Sequence, residues 1–377
     1  MFAVTAARRQ NEYESYEDLD ADYTLLSNDF IALNGALRRS FALTAAIDSH
    51  EKNMICSPLS ALLPLGKLAL GAKGETLDEL LLTIGVNKKW KLKSHFKPLI
   101  RDLMYLPGVK LDIASRIYIS IYALLQSKFE SRAKSIFNSS VEKADFGNPA
   151  VAAHDINTWV AKNTNGMIKE LISASDITPD TSLLMVNAIY FSGKWKLPFE
   201  RVQDGTFHSP SGDKTVPMMV SYSWYNYVRS KILGAQIIEI PYDGEKASFL
   251  IVLPYKKNGL SSLLTQLKIA PELLDLEMGR MARLKVVLSM PKFKMESQLD
   301  LRKLFIKLGL TGIFKPRNSD MQDIVQDRTV FVSNAIQKAV IEVTENGTEA
   351  AAVSSKLNYA RFPRYCFSDS KLLFKPC

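Results

Sequence analysis

The sequence predicts an α+β protein folded as one large domain, and three observations carry that prediction. Apolar residues recur at helical spacing in stretches bounded by helix caps and stops. Elsewhere, continuous apolar runs end at Pro or Gly, as buried strands do. The two kinds of segment do not alternate as strand, helix, strand: helices come early and strands late.

In chain order, the first 25 residues are acidic and tyrosine-rich (Glu12, Glu14, Glu17, Asp18, Asp20, Asp22) and read as an extension or a frayed helix start. Thr76 reads as the cap of a helix over Leu77 to Ile84, which Gly85 ends. Leu183–Phe191 before Ser192-Gly193, Phe249–Leu253 before Pro254 and Val286–Met290 before Pro291 read as buried strands. Leu301, Leu304, Phe305 and Leu308 sit at i, i+3, i+4, i+7, an amphipathic helix stopped by Gly309. There is no internal repeat and no long Gly/Ser/Pro linker.

Composition narrows the class. The 377 residues are 47% hydrophobic and 23% charged, which excludes a disordered chain, a fibrous repeat and a small disulfide-stapled module. No apolar run approaches the ~20 residues needed to span a bilayer, so no membrane role is expected. Three cysteines do not make a disulfide framework. Cys56 lies in an apolar run as a small core residue, whereas Cys366 and Cys377 could pair. Met1–Ala7 is too short, and in the wrong order, for a secretory leader. The expected location is therefore cytoplasmic if the chain is complete as written, and extracellular if a leader preceded it. Asn138-Ser139-Ser140 and Asn346-Gly347-Thr348 are glycosylation sequons.

Signals for catalysis are absent from the pattern. His50, His95, His154 and His208 are scattered, and none forms a metal-ligand spacing with a cysteine or another histidine. No nucleophile elbow, phosphate loop or dinucleotide fingerprint is present. Gly71-Ala72-Lys73-Gly74-Glu75-Thr76 lacks phosphate-loop spacing and reads as a turn between helices. The expectation is no enzyme, no metal and no cofactor.

Two other signals remain. The net charge is +9, and Lys88, Lys89, Lys91, Lys93, Lys97 and Arg101 fall within 14 positions, interrupted by Trp90, Leu92 and Phe96. This cluster reads either as a solvated face over an apolar underside or as a site for glycosaminoglycan or another polyanion. No base-reading module accompanies it, so nucleic acid is not expected. The sharper signal follows Ile341: a strand-like segment, then Asn346-Gly347, which tolerates positive φ, then Ala350, Ala351, Ala352, Val353, Ser354 and Ser355. Such a stretch reads as an exposed Ala/Ser linker or as a segment small enough to slide between two strands.

With its context, this stretch resembles the serpin family, and the resemblance covers nearly the whole chain. The hinge Glu345, Asn346, Gly347, Thr348, Glu349, Ala350, Ala351, Ala352 is the most specific part. Asn53–Ser60, Leu70–Thr76, Ile156–Val160 with Thr164–Gly166, Asn187–Trp195 with Pro198-Phe199, Val216–Met219, Ile240–Tyr242 and Met290–Phe293 fall in the family's order. The resemblance implies a serpin fold with three β-sheets, eight or nine helices and an exposed reactive-centre loop at about 345–363, all within a single domain over 26–377. It also implies a mechanism: a monomeric inhibitor whose loop is cut by a target protease and then inserts as an extra strand, adding main-chain hydrogen bonds and buried surface.

The chain departs from the family in two places. A histidine in the strand before the hinge, which bonds an asparagine and serines below, is here Gln337, with Ser57, Ser60 and Asn187 retained. Only 32 residues follow Glu345, markedly fewer than the family carries. Either the usual C-terminal hairpin is missing, or Tyr365-Cys366-Phe367 and Leu372-Leu373-Phe374 form an abbreviated one around Ser368-Asp369-Ser370. The second is favoured, because losing two central strands would bare apolar sheet edges. The bait then shrinks, with scissile-bond candidates among Leu357, Asn358, Tyr359, Ala360, Arg361 and Phe362. Arg361 suits a trypsin-like serine protease. Tyr359 and Leu357 suit a papain-like cysteine protease, which reads the residue before the one at the cut. A full inserted strand takes roughly 14 residues at ~3.3 Å each, so a cut after Arg361 is expected to suffice and one near Asn358 to leave too little. A non-inhibitory carrier, chaperone or storage protein is the alternative.

Overall fold

The structure, a computed structural model, describes residues 2–7, 42, 44–45, 53–139, 141–209, 212–348 and 374–376. Eight α-helices are present among them: α1 (Pro58–Gly71), α2 (Gly74–Ile84), α3 (Leu92–Met104), α4 (Ser127–Phe137), α5 (Pro149–Asn163), α6 (Leu260–Ile269), α7 (Glu272–Gly279) and α8 (Leu301–Lys307). The strands are β1 (Phe2–Ala7), β2 (Val109–Ser120), β3 (Val141–Ala144), β4 (Leu183–Lys194), β5 (Arg201–Ser209), β6 (Gly212–Ser230), β7 (Ala235–Pro241), β8 (Ala247–Pro254), β9 (Ala282–Pro291), β10 (Phe293–Asp300), β11 (Val332–Val343), β12 (Gly347–Thr348) and β13 (Phe374–Pro376). No described helix is long and apolar enough to cross a membrane.

One sheet runs β10-β11-β4-β2-β3, with β12 beside β4. Its central strands are covered on both faces, which is why they read as unbroken apolar runs. Along β4, Leu183 and Met185 enter a core shared with α1 to α4, while Leu184, Val186 and Ala188 enter a second core with Ile156 and Val160 of α5. α1 is buried from Ser60 to Gly71, a central helix rather than an amphipathic one. The other sheet runs β1-β8-β7-β6-β9-β13, with β5 also on β6. β6 is 19 residues long and pairs β5 with its first half and β7 with its second. It thereby fuses two of the family's three expected sheets into one hydrogen-bonded network.

Two local expectations change, and one helix gains its cap. Thr76 does not cap its helix: α2 starts at Gly74 and has Lys73 at its N-cap, and the Thr76 hydroxyl instead accepts from the Asp320 N–H at 3.1 Å. For the helix ending at Gly309, the capping residue is Asp300, whose carboxylate accepts from Lys303 N–H at 3.2 Å, and Gly309 leaves the helix at φ +90°. Finally, Phe2–Ala7 is no extension or helix start. It is a strand antiparallel to β8, from Phe2↔Val252 to Ala7↔Ala247.

That last pairing bears on the short C-terminus. Phe374–Pro376 pairs with β9 at Phe374↔Leu288, Lys375↔Val287 and Pro376↔Val286. Leu372 and Leu373 lie outside the described residues, as do Tyr365–Ser370. Phe374–Pro376 forms a strand on β9, and the outer edge of β8 is closed by Phe2–Ala7. The abbreviated-hairpin reading put Phe374 in a strand, as found, and the remainder of that hairpin lies outside the described residues. An unpaired apolar edge is costly, and here each end of the chain covers one.

Candidate functional site

The site is the seam between β4 and β11. These strands are parallel neighbours from Val332↔Leu183 to Val340↔Tyr190. Beyond Tyr190 they part: Ile341–Val343 pair only with β10, and Phe191–Gly193 continue on β2. β12 enters the wedge so formed, antiparallel to β4, with Gly347↔Lys194 and Thr348↔Gly193. Thr348 is fully buried, and its hydroxyl donates to Gly193 O at 3.3 Å. Gly347 has φ +154°, and a Cβ there would sit 2.1 Å from Gly193 O, so only glycine fits.

The turn before β12 is pinned from several sides. Thr344 N donates to Gly347 O at 2.7 Å and Gly347 N to Thr344 O at 3.2 Å. Trp195 donates its indole N–H to Thr344 O at 2.9 Å and its backbone N–H to Asn346 O at 3.1 Å, while Phe199 N donates to Glu345 O at 2.9 Å. Trp195 is held by Tyr242, stacked at 4.8 Å, and by the edges of Phe199 and Phe249. Glu345 pairs with Lys292 at 2.6 Å. Partial burial pushes the Glu345 carboxyl up, but the Lys292 hydrogen bond and charge outweigh it and hold the group below the usual range.

Lower in the seam, Gln337 of β11 and Asn187 of β4 face each other in register, and both are fully buried. The Gln337 amide donates to Ser57 O at 2.9 Å, to Ser60 Oγ at 3.2 Å and to Asn187 Oδ1 at 2.9 Å, and its carbonyl accepts from Ser57 N at 2.8 Å. Asn187 donates to Ser60 O at 2.7 Å and accepts from Ser60 Oγ at 2.7 Å. The start of α1 thus ties both sides of the seam together, with no titratable group in the net.

The structure brings Ser57, Ser60, Asn187 and Gln337 together, and Glu345, Gly347 and Thr348 in a second group. Glu349, Ala350, Ala351, Ala352 and the bait candidates Leu357 to Phe362 lie outside the described residues. The basic cluster divides. Lys93, Lys97 and Arg101 are exposed at i, i+4 and i+8 along α3, and Lys88 is exposed just before it. Lys89 is committed elsewhere, donating to Ala72 O at 2.8 Å with Asp323 at 3.8 Å, and Lys91 lies over the Trp90 ring. Cys56 is half-buried, with its thiol pushed up to about 12 by burial, a packed rather than a reactive group. Lys292, Trp195 and Gly193 brace the hinge, yet sequence reasoning gave them no role: their spacing from Glu345 and Gly347 carries no local signal.

Comparison with known proteins places this geometry. The family model for Serpin (serine protease inhibitor) matches residues 37–369. The chain is 38% identical over 309 residues to antichymotrypsin-2 and to antitrypsin of Bombyx mori, covering 81% of itself and 81% and 78% of those proteins. Among solved structures it is similar to Serpin48 of Tenebrio molitor (TM-score 0.80, 27% identity, 88% of this chain and 90% of that one). It is also similar to native protease nexin-1 with heparin (0.78, 28%, 87% and 91%) and to human thyroxine-binding globulin with its ligand (0.78, 27%, 86% and 88%). The chain therefore belongs to the serpin family.

Proposed function

We propose that the chain inhibits a target endopeptidase by offering the segment after Thr348 as bait and then drawing it into the β4–β11 seam. The observation that carries this is β12: the first two residues of the segment already hold the register of an inserted strand. Relatives named for inhibition of chymotrypsin and trypsin support the reading. No reactive group of this chain takes part beyond the peptide bond it offers.

The register also bears on the scissile bond. Continued along β4 from Gly347↔Lys194 and Thr348↔Gly193, it sets Asn358 opposite Leu183, the first residue of β4. Twelve residues from Gly347 then line the whole strand, fewer than sequence reasoning required. Cuts after Asn358, Ala360 and Arg361 all leave enough chain, so a papain-like cysteine protease and a trypsin-like serine protease are both served. Residues of Thr348 parity face inward on insertion: Ala350, Ala352 and Ser354 are small, but Lys356 is charged. Its burial slows the final third of insertion, which gives water time to hydrolyse the acyl bond and free the protease.

Incubating the protein with enzymes of each class tests this. Expected are loss of protease activity, covalent complexes on denaturing gels and a cut within 357–362. Cleavage with the protease fully active would leave a carrier, as thyroxine-binding globulin is, as the better reading. Lys356→Leu should lower the number of inhibitor molecules consumed per protease, roughly two- to fivefold.

The exposed row of Lys93, Lys97 and Arg101, with Lys88, fits a sulfated polyanion such as heparin, the partner of protease nexin-1 in its solved structure. The parent should bind a heparin column and elute with salt. The Lys93→Ala/Lys97→Ala/Arg101→Ala variant should elute at roughly half that salt or less. Unchanged elution would remove this face from consideration.

A further inference from the structure

Lys67 is a lysine in the middle of the central helix α1, with 1% of its surface exposed. Its Nζ donates to Ser115 O of β2 at 3.2 Å and to Ser139 Oγ at 2.7 Å. Ser139 Oγ in turn donates to Ser115 O at 3.3 Å. No carboxylate pairs with it among the described residues. An ammonium has three N–H groups to place and finds two neutral acceptors, whereas the neutral amine has two and fits. Burial, with the positive charge of Arg116 adding to it, lowers the amine to about 7 from the usual 10.5.

The charged groups on the surrounding elements do not relieve it. Arg116, the next residue along β2, is occupied by Glu142 of β3 at 3.3 Å and by the Trp159 ring at 4.1 Å. On α2, Glu75 and Asp78 are exposed and Glu79 is half-buried. On α3, Lys93, Lys97 and Arg101 are exposed, while His95 and Asp102 are half-buried. On α4, Lys128, Glu130 and Lys134 are exposed and Arg132 is half-buried. β4 offers only the exposed Lys194 at its far end.

We propose that Lys67 is a positioning residue for loop insertion: a proton-operated latch between α1 and β2 that lets go when its amine is charged. This rests on the insertion reading above. A new strand between β4 and β11 must add about 4.8 Å to their spacing. β2 is hydrogen-bonded to the far side of β4, and β3 to β2, so both move with it. The start of α1 is tied to β11 through Gln337 and to β4 through Asn187; on widening, the Asn187 bonds give way and α1 stays with β11, so β2 shifts across α1 and Ser115 O is drawn off Nζ. For a neutral amine, that movement loses good hydrogen bonds. For an ammonium, it admits water to a charge that had no full set of partners. The cost of burying the charge is fully present below pH 7 and fades as pH rises toward 10.5. The closed sheet is thus strengthened relative to the widened one as pH climbs through 7, and insertion slows.

The probe is an N-acetylated 12-residue peptide copying Thr348–Tyr359, whose own groups do not titrate between pH 6 and 8. Its uptake by the intact protein is followed on native gels and by the gain in melting temperature. Uptake by the parent should fall about five- to tenfold from pH 6 to pH 8, tracking the charged fraction of one group near 7. Lys67→Met, which fills the same space without charge, should give a flat profile and a higher melting temperature than the parent at pH 6. Ser139→Ala removes one acceptor and should move the midpoint below that of the parent. A flat parent profile overturns the proposal, as does a Lys67→Met profile that keeps the parent slope. Should Lys67→Met not fold, an unmoved midpoint in Ser139→Ala overturns it instead. A parent that takes up no peptide at any pH refutes insertion itself, a separate failure.

Discussion

On the proposed function, Thr348→Arg should turn inhibition into plain cleavage, with covalent complex formation falling by ~100-fold or more while cutting of the loop continues. Thr348 is fully buried against Gly193, where its hydroxyl is answered and its methyl fills the wedge. A guanidinium there has no carboxylate to meet, and burying it unpaired costs several kcal/mol. The cheaper outcome is for β12 to leave the sheet, so that the loop is cut but does not follow. Gels showing normal cleavage with no complex would agree. Undiminished inhibition would mean that capture does not depend on insertion, and the protein would then be a tight reversible blocker. The same variant should retain its melting temperature within a few degrees, because Thr344 and Glu345 keep their bonds to Trp195 and Phe199.

Gln337→Ala should have the largest effect on stability, lowering the free energy of unfolding by about 3–5 kcal/mol. The truncation leaves Asn187 Oδ1 with one partner fewer, strands the Ser57 N–H below the seam, and opens a cavity at a position with no exposure. Because the net carries no titratable group, the loss should be constant between pH 5 and 8 in thermal melts. Gln337→His tests the same point in the other direction. An imidazole replaces an amide that both donates and accepts, and its protonation near 6.5 should make stability fall as pH drops through that range. A Gln337→Ala protein that melts with the parent would show that α1 does not hold the seam.

The buried strands of the first sheet were legible because both their faces are covered, which leaves an unbroken apolar run for Leu183–Phe191 that only a central strand needs. Helix ends were less so. Thr76 looks like a cap by composition, but its hydroxyl is spent on Asp320 more than two hundred positions away. β1 was not legible, since six small and apolar residues say nothing about a partner near residue 250, and register across such a distance has no local trace. At the site, Gln337, Asn187, Ser57 and Ser60 could be grouped only through the family resemblance. The brace of Lys292 on Glu345 had no sequence signal. Lys67 did have one: it is the only charged residue in α1, within a run otherwise apolar from Ala61 to Leu70.

The closure of β8 by β1 also changes the order in which the molecule can be built. A ribosome delivers Phe2–Ala7 before Ala247–Pro254, so the partner for that segment is already waiting when it emerges. The five-strand run β1-β8-β7-β6-β9 and its flanking β5 can therefore assemble while the residues after Pro291 are still being made. Nascent chains halted after Pro291 should already protect β8 amides from exchange, and vectorial synthesis leaves the seam-forming β11 and the bait to arrive last, onto a finished platform.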